Sequence, residues 1–335
     1  MQYDIHVHVF DMHATCRGSY VCPESRRSLL LRHLVKRMRG IAAGSAAPQA
    51  AVVSQLDGWM RESELDRFVL LALDRAHTPA GEPDLEHTRL AVDNDFVADW
   101  ADRQPKALFG ASIHPFRKDA LDELDRLAER GACLVKWIPS AQNIPADSPR
   151  CFAFYDKLAR LRMPLLSHTG IEHTLPAFDQ SLNDPRRLTS PLERGVTVIA
   201  AHCGARMYLH ERGFFNAWAQ TARRHRNLYG DLSGFCLPLH AAPRRLILGS
   251  PDLASRILFG SDFPAHALPM WYAPALGFGK ARQLRRIRNP FDKACQTMRA
   301  LGIPDGAFTR AQALLRLPAA TSIESAGKEV CVENT

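Results

Sequence analysis

The chain opens Met1-Gln2-Tyr3-Asp4-Ile5-His6-Val7-His8-Val9-Phe10, and the reading of this stretch decides the architecture. Ile5, Val7 and Val9 alternate with His6 and His8. A period of two is that of a β-strand, and it sets both imidazoles on one side of the backbone. Neutral imidazole is a common metal ligand and needs no special burial to be deprotonated at neutral pH. The pair can therefore grip one cation. Taken alone, His-x-His is as readily a pair of bystanders, so its meaning rests on what the remaining chain supplies.

Outward from this strand, short apolar runs recur, each followed by a helical pattern. Strands are predicted at 3–9, 67–73, 107–112, 132–138, 164–168, 196–202, 228–232 and 256–260. Between them, Ser148 and Pro149 supply an N-cap and a first-turn proline for a helix whose face is Phe152, Tyr155, Leu158 and Leu161. That helix must end before Pro164. Leu121, Leu124, Leu127 and Ala128 form another apolar face, closed by Gly131. Strand and helix alternating in this way imply parallel strands joined by helical crossovers, and closure of eight gives an α/β fold of the (β/α)8, or TIM-barrel, type. An open doubly wound sheet competes, but no GxGxxG turn follows the first strand.

Three segments exceed the bare repeat: 11–50 after strand one, 74–88 after strand two and 263–282 after strand eight. The first holds a basic helical run, 24–39, and an Ala/Gly/Ser/Pro-rich linker. In a barrel all three lie on the face at the strand C-termini, where active sites form. They are candidates for lids or for contacts in a homo-oligomer. A single domain over 1–318 is expected, followed by a polar tail, 319–335.

The chain has 335 residues, 46% of them apolar, and a formal charge of +8. The cations are scattered over many helices, with no stripe or motif for nucleic acid, which favours a small anionic substrate. Eight cysteines without paired CxxC spacing, in a chain of this size, argue for reduced thiols and a cytoplasmic setting. No signal-peptide pattern opens the chain, and no apolar run approaches the ~18 residues of a membrane span.

Polar side chains then gather at the predicted strand ends. Strand one gives His6 and His8, strand four Lys136, strand five Ser167-His168-Thr169-Gly170, strand six Ala201-His202-Cys203-Gly204, and strand eight Gly260-Ser261-Asp262-Phe263-Pro264. A barrel brings these ends into one ring. Nitrogen and oxygen ligands with positions left for water and substrate are what an open catalytic metal site requires.

This series, from His6 to Asp262, resembles the amidohydrolase superfamily, in particular its amidohydrolase-2 branch of metal-dependent hydrolases and decarboxylases. The resemblance implies a divalent metal, zinc first, held by His6, His8, His168 and Asp262. Lys136 and His202 stand where binuclear members carry a carbamoylated lysine and a ligand of the second ion. With one ion, the favoured arrangement, Lys136 stays an ammonium that binds an anionic group, and His202 contacts the substrate, its developing negative charge, or a proton in transit. With two, Lys136 is carbamoylated, and His168 and His202 hold the second ion. The implied reaction is attack of a metal-activated water on an amide, cyclic amide or lactone, with Asp262 moving the proton. Decarboxylation of an aromatic or unsaturated acid is the first alternative, and a non-catalytic metal-binding scaffold the second.

Other residues carry two readings each. His114 follows strand three and either meets substrate or caps a turn. Arg206 either clamps a carboxylate or lies on the surface. Asp231 and Ser233 either cap a turn or touch substrate. His173 and His266 are weaker candidates for substrate contact. Cys203, beside His202, is expected to point away from the mouth and to be buried rather than nucleophilic.

Overall fold

The structure is a computed structural model describing residues 1–10, 18–34, 36, 40–41, 47–206, 213–235 and 241–317. Strands are numbered in chain order. Eight of them form one parallel sheet: β1 (Tyr3–His8), β3 (Arg67–Leu71), β5 (Ala107–Ala111), β6 (Leu134–Trp137), β7 (Leu165–His168), β8 (Val198–Ala201), β9 (Leu228–Asp231) and β10 (Ile257–Leu258), neighbours in that order. The remaining two, β2 (Ser19–Val21) and β4 (Leu90–Val92), pair antiparallel. Each predicted barrel strand is present, trimmed at its ends.

The sheet closes where β1 meets the segment running out of β10. Ile5 N donates to Phe259 O at 3.1 Å, Asp262 N to His6 O at 3.0 Å, and His8 N to Phe263 O at 2.9 Å. The TIM barrel is thus complete, and its closing seam sets His6, His8 and Asp262 side by side through the backbone alone.

Alternation along the strands sorts the apolar residues. Ile5, Val69, Leu71, Leu134, Leu166, Ile199 and Leu258 form one cluster, inside the barrel. Val7, Phe68, Leu70, Val135, Leu165, Val198 and Ile257 belong to the larger cluster under the helices. The same parity continues upward, so Lys136 follows Leu134, His168 follows Leu166 and Asp231 follows Tyr229 onto the inner face. In β1 the strict alternation expected from the sequence is broken. Between Asp4 and Val7 the strand advances three residues while its partner advances two, from Phe68 to Leu70. This bulge places Ile5 inside and Val7 outside, and it lets His6 and His8 face inward above an apolar layer.

The helices follow their caps. Ser148 Oγ accepts from Arg150 N at 3.4 Å, a 3-10 turn runs Pro149–Cys151, and the α-helix Phe152–Arg160 buries Phe154, Tyr155 and Leu158. The helix Ala120–Glu129 buries Ala120, Leu124, Leu127 and Ala128, whereas Leu121, expected on that face, is 39% exposed. The basic run breaks at Ser28 into helices Pro23–Arg27 and Leu29–Leu34. The expected linker ends in the helix Pro48–Glu62. Segment 263–282 contains Pro269–Tyr272, Ala273–Leu276 and most of Phe278–Arg285. The rest of 11–50 in part, and the tail 319–335, lie outside the described residues.

Among the described residues, Cys22, Cys133, Cys151, Cys203 and Cys295 are free and buried, and no helix is long and apolar enough to cross a membrane. Phe259 sits in the closing seam, 1% exposed, against Phe308 at 4.9 Å between ring centroids. Phe259→Ala is expected to lower unfolding free energy by about 3–5 kcal/mol, measured by chemical denaturation.

Candidate active site

The inner face of the barrel ends in a cavity of about 120 Å³ at the C-terminal ends of the strands. Its polar wall includes His8, His168, His202 and Asp262, joined by Glu172 and His173. Its apolar wall includes Phe10, Leu31, Leu90, Ile138, Ile171 and Leu175. No lysine or arginine lines it among the described residues.

Asp231, at the end of β9, organises the floor. It is fully buried, and its Oδ2 accepts from His6 Nδ1 at 2.7 Å. Its Oδ1 accepts from His202 N at 2.9 Å, from Ser233 N at 3.0 Å and from Ser233 Oγ. His202 Nδ1 in turn lies 3.0 Å from Ser233 O and 2.9 Å from Ser233 Oγ. A carboxylate and a carbonyl only accept, so the proton of each imidazole is assigned to Nδ1. Both His6 and His202 therefore present the Nε2 lone pair to the site, as metal-ligating histidines do.

Those lone pairs converge. His6, His202 and Asp262 each offer a ligand atom within 4.8 Å of the other two. His8 Nε2 is 3.1 Å from His6 Nε2, and Asp262 Oδ1 is 3.5 Å from both. His168 stands beside His202, with ring centroids 4.8 Å apart. Its Nε2 is buried without a hydrogen-bond partner. Imidazole lone pairs facing one another around an ionised carboxylate, one of them orphaned, are a donor set that fits a divalent cation.

Electrostatics agree. Burial, then the neighbouring Lys136, pushes the His6 imidazole down to about 3, which keeps it neutral. Burial favours the neutral form of Asp262, but the hydrogen bond from His8 and the surrounding histidines hold it well below the usual carboxylate range. Burial also lowers Lys136 to about 8, against the pull of Asp231, Asp262 and Glu172.

The backbone is contorted to present these groups. His202, Cys203 and Asp262 take left-handed conformations, with φ of +60°, +50° and +59°, which side chains other than glycine adopt at a cost. Cys203 is buried as expected, but for a different reason: it lies in this turn rather than on a strand, its Sγ donating to Asp231 O at 3.2 Å. Gly260 leaves room for His6, because a Cβ there would sit 2.7 Å from His6 Cβ.

Three expected substrate contacts are placed elsewhere. His114 is fully buried and absent from the cavity wall; its Nε2 donates to Gln142 O at 2.9 Å and its Nδ1 accepts from Phe116 N at 3.1 Å. It is the turn histidine of the plainer reading, and burial drives it down to about 3. Arg206 is exposed and likewise absent from the wall among the described residues. Lys136 is 1% exposed, beneath the site, with Nζ 3.2 Å from His6 Nε2. His173 lines the cavity, and His266 lines a separate surface groove.

A TIM barrel with this mouth defines a class, that of barrel enzymes built around a divalent cation. Sequence comparison makes it specific: the chain belongs to the amidohydrolase family, whose amidohydrolase-2 profile matches residues 3–293. Among solved structures, an uncharacterized TIM-barrel protein from Bordetella bronchiseptica superposes with a TM-score of 0.60 at 17% identity, over 93% of this chain and 98% of that one. A protein from Pseudomonas putida described as a 2-pyrone-4,6-dicarboxylic acid hydrolase gives 0.54 at 17% identity, over 94% of each chain. A 2,6-dihydroxybenzoate decarboxylase gives 0.53 at 15% identity, over 93% of this chain and 98% of that one. No curated protein matches the sequence.

Asp231→Asn keeps the size of the side chain but removes the charge that orients His6. It is expected to weaken metal binding about 10- to 100-fold with the circular dichroism spectrum unchanged, measured by competition with a chromogenic chelator.

Proposed function

We propose that this enzyme hydrolyses a C–N or C–O bond, in an amide, cyclic amide or lactone, with one zinc ion held by His6, His8, His168 and Asp262. The observation that carries the reading is the meeting of His6, His8 and ionised Asp262 at the floor of an open cavity, with the unpartnered Nε2 of His168 and the His202 ring alongside. The ion, when bound, supplies Lewis acidity and a water that ionises near neutral pH. Asp262 accepts the proton of the attacking water at its carboxylate and returns it to the leaving group. His202, with its Nδ1 proton committed to Ser233, serves as a proton acceptor at Nε2 rather than as a donor to an oxyanion. Asp231 keeps His6 in the required tautomer directly and His202 through the Ser233 hydroxyl. The apolar wall excludes water from the reacting bond.

Decarboxylation of an unsaturated acid is the second reading, supported by the apolar wall, which suits a ring. The lack of lysine and arginine among the described lining residues weighs against a carboxylate handle, and with it against the anionic substrate suggested by net charge. The free, buried cysteines support a cytoplasmic setting.

Dialysis against a chelator is expected to abolish turnover, and one equivalent of zinc to restore it. A panel of lactones, amides and carboxylic acids separates the chemistries: incorporation of oxygen from labelled water marks hydrolysis, and release of carbon dioxide without it overturns that reading. Asp262→Asn is expected to lower kcat about 100- to 10,000-fold. A count of two ions per chain, with a carbamate on Lys136, would replace the one-ion arrangement.

A further inference from the structure

The cavity holds one carboxylate that the proposed mechanism does not use. Glu172 lies in the loop after β7 and is 8% exposed. Its position is built rather than incidental. Gln180 clamps its backbone from both sides, Oε1 accepting from Glu172 N at 2.9 Å and Nε2 donating to Glu172 O at 2.7 Å. Its own Oε1 accepts from Thr174 N at 2.6 Å and Leu175 N at 3.0 Å. Glu172 lines the cavity, and its other oxygen, Oε2, makes no hydrogen bond among the described residues and lies 3.6 Å from His168 Nε2. The side chain is held in place while this oxygen stays open to the cavity rather than sealed in, so a donor on a bound molecule can reach it.

Two partners suit such an oxygen: the metal itself, or a donor group on the substrate. Geometry favours the second. His6, His8 and Asp262 meet one another at 3.1–3.5 Å, whereas Glu172 approaches only His168 of the four proposed ligands, at 3.6 Å. Glu172 lines the same cavity as His8, His168 and Asp262, where a substrate would be bound.

We propose that Glu172 is the specificity residue of the site: its Oε2 accepts a hydrogen bond from an N–H or O–H group of the substrate. The substrate class is then a small molecule with an amine, amide N–H or hydroxyl close to the scissile carbonyl, and not one with a second carboxylate there. Asp262 and Glu172 repel such a carboxylate, and no lysine or arginine among the described lining residues receives it. This inference rests on the metal site of the proposed function and refines its substrate.

Hydroxamates test it without turnover, because they anchor to a catalytic metal whatever the reaction is. Acetohydroxamate is the parent. Glycine and β-alanine hydroxamates add an amine, glycolohydroxamate adds a hydroxyl, and malonic monohydroxamate adds a carboxylate. Binding to the zinc-loaded full chain is measured by calorimetry, beside the zinc content and zinc affinity of each variant. The better donor-bearing compound is expected to bind at least tenfold tighter than acetohydroxamate, and the carboxylate at least tenfold weaker. In Glu172→Gln both ratios are expected to fall to within about threefold, with zinc affinity unchanged. Unaltered ratios overturn the proposal while leaving the metal site intact. Loss of zinc from the variant makes Glu172 a ligand and overturns it too. If no hydroxamate binds the zinc-loaded wild type, the metal reading fails and takes this inference with it. A tighter amine than hydroxyl identifies a cationic substrate, and the reverse a neutral one.

Discussion

The buried contact between the Asp231 carboxylate and His6 Nδ1 is the interaction around which the site is arranged. It joins the first barrel strand to the seventh across the floor of the barrel. The same carboxylate reaches the backbone of His202 on the neighbouring turn and the Ser233 hydroxyl that faces the His202 ring. One anion thus fixes the tautomer of one imidazole directly and of another through a serine. Such a group is tolerated in a buried position because each oxygen accepts from at least one donor, Oδ2 from His6 and Oδ1 from His202 N and Ser233. Lys136, also enclosed, balances the carboxylates around it.

The second constraint is closure. A barrel whose last strand has only two residues cannot align its mouth through a long ladder. The backbone bonds from Ile5, His8 and Asp262 across the seam take over that task. Asp4 adds to it: its Oδ1 accepts from His6 N at 3.1 Å and Ser261 N at 2.9 Å, binding the bulged strand to the turn that carries Asp262. The left-handed residues His202 and Asp262 are affordable in such a frame, because neighbouring contacts over-determine their conformation.

Much of this was legible in the sequence. Apolar runs of four to six residues survive as a pattern, and the strand-end side chains of a barrel must converge whatever lies between them. That logic reached His6, His8, His168, His202 and Asp262. It missed the bulge, since alternation in letters is indifferent to one extra residue in the register. It left Asp231 divided between a turn cap and a substrate contact, because an aspartate before Leu-Ser-Gly suits any turn; the distinguishing fact is a partner 225 positions away. His114 and Arg206 looked like mouth residues for the opposite reason: proximity to a strand end says nothing of which way a side chain turns. Glu172 had no signal beyond its nearness to His168. The small sheet of β2 and β4 was invisible, since three-residue strands carry too little periodicity to read.

That small sheet has a consequence for how the mouth could diversify. β2 belongs to the excursion after the first barrel strand and β4 to the one after the second, and Asp93 N reaches Gly18 O at 2.8 Å beyond their ladder. Leu31 from one excursion and Leu90 from the other both touch the cavity. The two rims are basted together, so neither can be recut alone. A graft from another barrel that exchanges only one would leave an unmatched edge and a gaping wall, whereas transplanting both as a cassette preserves the join and carries a whole side of the pocket with it.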